Sequence, residues 1–458
     1  MDGGLTLLRS ALLSLIGSIF LIGIAHFSAP ASAADALRPN FLIIITDDQR
    51  YDDMPVMEYT HGKIFNEGCN FTKAYVTTPL CCPSRTSILT GKYASQHGVL
   101  NNSTPIRSQT TFPQILKREG YYTGLVGKFL NSSLGLPRPE YDFWASFRGG
   151  NPGYDAPLMN INGVVKRERG YSTYIFRDYA LKFLDQAAQQ PNPFMLYLAF
   201  NAPHRPASPA PEDREAKLPL HTKQARIMRR GSRLQLAANS QKLEPYRGGR
   251  GLLRHRLTLL AVDRSIRTII ETLKSKGILD NTVVFFISDN GLFRGEHRLL
   301  GKLQPYEEAV HVPFAVRYPP VFEPQRSTRL VANIDIAPTI LQLAGIPIPS
   351  DMAGRSLTDA VSAAEWRKEL LLEGFSRSKR NGHFVAIHTG DTVLIRRQEI
   401  GQPMQTEVFD MRTDASQLHN LATDTTKAAL ISDLNARLDT LMFGIRGSTA
   451  PAHIRNSQ

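Results

Sequence analysis

Four stretches of the chain run apolar without a break and then end in polar residues. They are NFLIIITDD (Asn40 to Asp48), TGLVGK (Thr123 to Lys128), FMLYLAFNAPH (Phe194 to His204) and NTVVFFISDNG (Asn281 to Gly291). A strand covered on both faces loses the apolar–polar alternation, so each reads as a buried parallel strand with polar groups at its carboxyl end. PFAVRYP (Pro313 to Pro319) is a further strand. Between them the period changes to that of helices. TFPQILKREG closes on Gly120, a C-cap residue type. STYIFRDYALKFLDQAAQQ and LTLLAVDRSIRTIIETLKSKG are amphipathic, and IDIAPTILQLAG has Pro338 near its start and Gly345 at its end. Strands alternating with helices predict an α/β fold with a sheet sandwiched by helices, and ligands at the carboxyl ends of its strands.

After about Pro347 the pattern shifts to short strands joined by turns: KELLLEG, HFVAIHTG, DTVLIRRQ and TEVFDM, closed by a helix, AALISDLNARLDTLMFG. This predicts a smaller C-terminal antiparallel-sheet subdomain. The expected division is a catalytic α/β domain over 38–346, the subdomain over 347–445 and a loose tail over 446–458.

Composition adds an address. The first residues hold Arg9, the apolar run ALLSLIGSIFLIGIA and the small-residue site Ala31-Ser32-Ala33, so 1–33 reads as a cleaved export signal rather than a retained anchor helix. The expected location is outside the cytosol: periplasmic, secreted or lysosome-like. The chain has 3 cysteines, Cys69, Cys81 and Cys82, which cannot all pair with one another. Cys69 stands either buried or paired with Cys82; the sequence leaves both open.

The formal net charge is +13. Much of the excess falls between Lys217 and Arg256, where Arg229, Arg230 and Arg233 are candidates for holding a sulfated polymer. A solvated basic loop is the competing reading. No motif of nucleic-acid recognition accompanies the charge, so no nucleic-acid partner is expected.

The candidate chemistry sits at the strand ends. Asp47, Asp48, Asp289 and Asn290 are oxygen donors that suit a hard divalent cation, calcium before magnesium. Arg85, Lys128, His204 and Lys302 form a cationic set fit for a tetrahedral anion. Between these stands PLCCPSRTSILTGKY (Pro79 to Tyr93).

Cys81-Cys82-Pro83-Ser84-Arg85 through Thr90-Gly91 resembles the C-x-P-S-R-x-x-x-x-T-G signature of the type I sulfatases. GYYTGLVGK, NFLIIITDDQ, SDNGLFRGEHRLLGK and VFDMRTDASQLHNLA resemble further motifs of that family, in the same order. The resemblance implies an alkaline phosphatase-like fold with a large mixed, mostly parallel sheet. It implies a maturation enzyme that oxidises Cys81 to formylglycine, whose hydrate supplies one hydroxyl to attack sulfur and a second to expel sulfate. It also implies Ca2+ held by Asp47, Asp48, Asp289, Asn290 and the residue-81 diol. Arg85 orients that diol, Lys128 and Lys302 bind sulfate oxygens, and His204 binds sulfate or protonates the leaving oxygen.

The aryl-type members have a histidine where this chain has Leu130, with Asn131 as a partial substitute. LCCPSRTSILTGKY, GKFLN and APHRP resemble the branch containing N-acetylglucosamine-6-sulfatase and the extracellular heparan endosulfatases. The expected activity is therefore sulfuric ester hydrolysis on a sulfated sugar, glucosamine 6-sulfate type favoured. The alternatives are a phosphodiesterase or phosphonate monoester hydrolase, an arylsulfatase, or an inactive glycan-binding homologue. No stable membrane anchor is expected once the signal is removed.

Overall fold

The structure, a computed structural model, describes residues 38–218, 248–376 and 382–446. The export segment, Arg229, Arg230 and Arg233 lie outside the described residues. In chain order the strands are β1 (Asn40–Asp47), β2 (Cys69–Tyr75), β3 (Tyr122–Gly127), β4 (Phe143–Ser146), β5 (Leu158–Ile161), β6 (Val164–Arg167), β7 (Phe194–Pro203) and β8 (Thr282–Ser288). They continue as β9 (Phe293–Arg294), β10 (Leu300–Gly301), β11 (Phe314–Arg317), β12 (Gln325–Ala332), β13 (Leu370–Phe375), β14 (His383–His388), β15 (Thr392–Gln398) and β16 (Gln405–Asp410). The helices used below are α1 (Cys81–Thr90), α2 (Phe112–Arg118), α3 (Ser172–Ala187), α4 (Gly248–Ser275), α5 (Ile336–Leu343) and α6 (Ala428–Arg446).

Ten strands form one sheet in the order β12-β2-β11-β8-β1-β7-β3-β4-β5-β6. The pairs β8·β1, β1·β7, β7·β3 and β3·β4 are parallel, while β11 and the β5–β6 hairpin run against their neighbours. The large sheet is therefore mixed and mostly parallel, as the apolar runs imply. β1 lies at its centre, and every one of its residues is buried. Its alternate side chains enter two cores: Phe41, Ile43 and Ile45 pack on one face, Leu42 and Ile44 on the other. That explains the unbroken run NFLIII, since each face supplies its own apolar layer. α3 and α4 cover the second face with Phe176, Leu184, Val262 and Ile266. α1, α2 and α5 cover the first. Truncating Ile43, at the centre of β1, to alanine costs about 2–5 kcal/mol.

The C-terminal strands form a separate antiparallel sheet, β13-β14-β15-β16. α6 lies against it through Leu434 and Leu438. Leu371, Ile387, Leu394 and Val408 of this small sheet join the same apolar cluster as the first face of the large one. Among the described residues no helix is long and apolar enough to cross a membrane.

Candidate active site

β1 delivers two consecutive carboxylates, and an extended strand would send them to opposite faces. The backbone prevents this. The β1–β7 register slips between Ile45 and Asp47, and Asp48 takes a left-handed conformation, φ 69°. Asp47 and Asp48 thereby reach one cluster with Asp289 and Cys81, whose ligand atoms lie within 4.8 Å of one another. Asp289 and Asn290 follow directly on β8, the parallel neighbour of β1. Asn290 donates Nδ2 to Asp48 Oδ1 at 2.7 Å, while its own Oδ1 accepts from Lys302 Nζ at 3.3 Å.

Cys81 is the first residue of α1, after an extended Leu80. Pro83 fits the opening turn, where a missing N–H is harmless. All ten residues of α1 are buried, polar ones included, and Gly91 ends it at φ 67°. Ser84 Oγ accepts from Asn333 at 2.9 Å, and Thr90 Oγ1 donates to the Thr86 carbonyl at 2.7 Å. This helix hid in the sequence because it has no apolar stripe.

Two of the cations, Arg85 and Lys128, are equally enclosed. Arg85 donates Nε to Asp289 Oδ2 at 2.7 Å and Nη1 to the Lys128 carbonyl at 2.9 Å. Its Nη2 is buried without a hydrogen-bond partner among the described residues, 3.6 Å from Asp47 Oδ2. Lys128, just past β3, bonds Asp47 at 2.5 Å. Lys302 pairs with Asp48 and approaches Cys81 Sγ to 2.9 Å. His204 places Nε2 3.8 Å from Asp48 Oδ2. Its Nδ1 bonds the Arg205 carbonyl at 2.8 Å, and since a carbonyl only accepts, Nδ1 carries the proton and Nε2 faces the site. Tyr154 OH donates to the His204 carbonyl at 2.7 Å and holds that turn. Cys81, Arg85 and Lys128 form the floor, while the side chains of His204 (26 % exposed) and Lys302 (12 %) mark the open side.

The electrostatics follow from this crowding. Burial pushes Asp47 up, but Lys128, His204 and Arg85 outweigh it and hold the carboxyl below its usual range. Asp48 is likewise held down against burial by Lys302 and His204. Burial pushes the Cys81 thiol up to about 12, against the pull of Lys128 and Lys302. At neutral pH the thiol is therefore protonated and a poor nucleophile as it stands.

Cys82 points elsewhere. Its Sγ accepts from the Asn131 N–H at 3.0 Å, and its N–H donates to Asn102 Oδ1 at 2.9 Å. Asn131 is thus engaged by Cys82. All three cysteines are free, so Cys69 and Cys82 do not pair. Arg256, at the end of the basic stretch, is buried and ion-paired with Asp53 rather than presented to solvent.

Sequence reasoning missed the network beside the site. Asp53 Oδ1 accepts from Arg256 Nε and Arg294 Nη1, each at 3.0 Å, and Arg50 Nη1 meets Glu296 Oε1 at 2.6 Å. These pairs hold the β9–β10 hairpin, which leads into Lys302. That hairpin region has non-glycine left-handed residues at His297 (φ 50°), Arg298 (φ 60°) and Leu303 (φ 83°), a strained backbone that its surroundings must fix. Only a cluster of charges near the metal motifs hinted at it, and such clusters are common on surfaces.

The sulfatase family profile matches residues 39–346, and a profile described as N-sulphoglucosamine sulphohydrolase, C-terminal, matches 295–443. The chain is 33% identical over 391 residues to a Sulf-1 homolog of Caenorhabditis elegans, covering 78% of this chain and 52% of that protein. It therefore spans about half the length of that relative. It is 32% identical to the N-acetylglucosamine-6-sulfatase of Homo sapiens, covering 74% of this chain and 68% of that protein. It is 28% identical to the N-acetylglucosamine-6-O-sulfatase of Bacteroides thetaiotaomicron, covering 88% and 87%. A solved structure in complex with D-glucosamine-2-N,6-O-disulfate superposes with TM-score 0.76 at 25% identity, covering 90% of this chain and 99% of the other. A phosphonate monoester hydrolase from Silicibacter pomeroyi shares the fold with TM-score 0.71 at 22% identity, covering 90% and 96%. With two thirds of its length under the family profile, this chain belongs to the sulfatase family.

Proposed function

We propose that this chain is a sulfuric ester hydrolase acting on a sulfated sugar of glucosamine 6-sulfate type. The observation that carries it is Cys81 at the buried start of α1, between three carboxylates and Lys302 Nζ at 2.9 Å. The relatives named N-acetylglucosamine-6-sulfatase support the sugar.

The donor set fits calcium. Asp47, Asp48 and Asp289 offer hard oxygens, and Asn290 offers its amide oxygen once its side chain turns. Arg85, Lys128 and Lys302 already match the charge of those carboxylates. A divalent cation then makes the pocket net positive, which suits an anionic ester. When present, calcium and a formylglycine at residue 81 supply an activated oxygen nucleophile, which the protonated Cys81 thiol is not.

The chain's own residues do the rest. Arg85 Nη2, 3.6 Å from Asp47 Oδ2 and without a hydrogen bond among the described residues, fixes an oxygen on residue 81. Lys302 and Lys128 hold negative charge on the sulfate oxygens. His204, locked by Nδ1 and open at Nε2, donates a proton from Nε2 to the leaving sugar oxygen when charged. Arg229, Arg230 and Arg233, in the basic stretch of the sequence, are the candidates for binding a sulfated polymer. Export follows from the signal-like segment, and a formylglycine-generating enzyme is the required partner.

The test is sulfate release from N-acetylglucosamine 6-sulfate and heparin fragments by protein with Cys81 converted, confirmed by peptide mass. An aryl sulfate and a phosphate diester run alongside, with Cys81→Ser as control. Sugar sulfate turnover that the control loses is expected. Turnover of the diester alone would replace this reading with the phosphoester one.

A further inference from the structure

Lys302 does not stand on a strand. β10 ends at Gly301, residues 302–306 belong to no strand or helix, and Leu303 is left-handed at φ 83°. A side chain that must meet a sulfate oxygen in good geometry needs its backbone held, and here no ladder holds it. The ion pairs of Asp53 with Arg294 and of Arg50 with Glu296 hold the hairpin before Lys302. The bonds that hold the segment after it come from the C-terminal sheet and the turn that follows β16.

Tyr306 OH donates to Glu407 Oε2 on β16 at 2.7 Å, and Arg397 Nη2 on β15 donates to the other carboxylate oxygen at 3.0 Å. Arg397 Nη1 also reaches Gln304 Oε1 at 3.4 Å. The Glu307 N–H donates to Gln417 Oε1 at 2.8 Å, within VFDMRTDASQLHNLA, a stretch that supplies none of the site residues. Tyr306 is buried and the Glu407 side chain is 13 % exposed, so water competes little for the bond between them. A hydroxyl donating to a carboxylate also makes a stronger bond than a neutral pair does.

The Tyr306 ring carries this hold back to the hairpin. It stacks on His297 with centroids 4.3 Å apart and planes 12° from parallel, and it meets Phe293 edge-on at 6.2 Å. Phe293 begins β9, and His297 lies between β9 and β10. Lys302, at the end of that hairpin, pairs with Asp48 and places Nζ 2.9 Å from Cys81 Sγ. Glu407 thus fixes one ring that restrains Lys302 twice, along the chain four residues on and across the hairpin packed before it.

We propose that Tyr306 and Glu407 are positioning residues: through the bond between them, the C-terminal sheet sets the place of Lys302 Nζ at the sulfate. The proposal rests on the sulfatase reading above. Lys302 meets the sulfate group, which all the ester substrates share, so losing the bond lowers kcat alike on each of them.

The experiment is a double-mutant cycle on Cys81-converted protein: parent, Tyr306→Phe, Lys302→Ala and the two combined, each first checked by melting temperature. Tyr306→Phe keeps the ring stack and loses only the hydroxyl. It lowers kcat by ~10-fold on every sulfate ester that the parent turns over, and by less than about twofold in the Lys302→Ala background. Glu407→Leu repeats this pattern, and Glu407→Gln, which keeps an acceptor for the hydroxyl, recovers part of the loss. An unchanged kcat in Tyr306→Phe overturns the proposal. So does a fall of the same size with and without Lys302, which marks a general structural role. A second arm needs no turnover and compares crystal structures of the parent and Tyr306→Phe with Cys81 unconverted. In the variant Lys302 Nζ leaves Asp48 and Cys81 Sγ; Lys302 in its parental place overturns the proposal. Absence of turnover by the parent on every sulfate ester sinks the sulfatase reading, and the crystallographic arm then decides whether this bond places Lys302.

Discussion

The two sides of the pocket are built on different physics. The carboxylate side stands on β1 and β8, adjacent parallel strands at the centre of the ten-stranded sheet, where hydrogen-bond register sets the position of each side chain. The Lys302 side stands on the two-residue strands of the β9–β10 hairpin, with little ladder to hold it and left-handed residues at His297, Arg298 and Leu303. Here buried ion pairs do the work of the sheet: Arg294 on Asp53 and Arg50 on Glu296, with His297 Nε2 packed 3.3 Å from a Glu308 carboxylate oxygen. A strand-borne group is placed by the fold as a whole. A hairpin-borne group is placed by a few charges and is correspondingly easier to dislodge.

Asp289→Asn breaks the strand side most severely. It weakens the cation site and leaves Arg85 Nε without its carboxylate, so sulfate ester turnover should fall by more than ~1,000-fold. Calcium titration by calorimetry should show weaker binding; unchanged affinity would remove Asp289 from the ligand set.

Lys302→Ala on the hairpin side should lower kcat by ~100–1,000-fold with the melting temperature nearly held, because its side chain is partly exposed and its loss removes one charge from the mouth. Asp53→Asn should show the reverse balance. Breaking a buried pair costs ~3–5 kcal/mol, so melting temperature drops clearly while turnover falls less than in Lys302→Ala. If Asp53→Asn melts like the parent, the hairpin is not held by these charges.

Turnover is least involved in the pH dependence of stability. Burial lowers His97 to about 3 from an ordinary 6.5, so between those values the unfolded chain binds a proton that the native one refuses. Stability therefore falls as pH falls through that window. Glu307 acts in the same sense lower down. Burial opposes its ionisation, but His311 and His388 hold it at about 2 against an ordinary 4.5, and its contribution is lost as acid protonates it. Melting temperatures should decline from about pH 6.5 toward pH 3, and His97→Gln should flatten the upper part of that decline. An unchanged slope in this variant would remove His97 from the account.

The strands were legible because a doubly covered sheet writes itself as apolar runs, and β1, β3, β7, β8 and β11 each fall on one. β2 and β12, CNFTKAY and QRSTRLVA, did not stand out: they sit toward the sheet's edge, with partly exposed positions that break the run. α1 did not stand out either, since a helix buried on every side has no stripe to detect.

The sequence alone named the residues of the candidate site that the structure brings together: Asp47, Asp48, Cys81, Arg85, Lys128, His204, Asp289, Asn290 and Lys302, each at a strand end or in a motif. Local composition suffices for that, because strand ends and motif order are local properties. Tertiary structure decided what no local pattern encodes. It turned Asp48 back toward Asp47, left Arg85 Nη2 without a hydrogen bond among the described residues, gave Cys82 to Asn131 and joined Asp53, Arg256 and Arg294, which lie far apart in the chain. A charge reads the same in sequence whether it faces water or another charge, and only folding determines which of the two it meets.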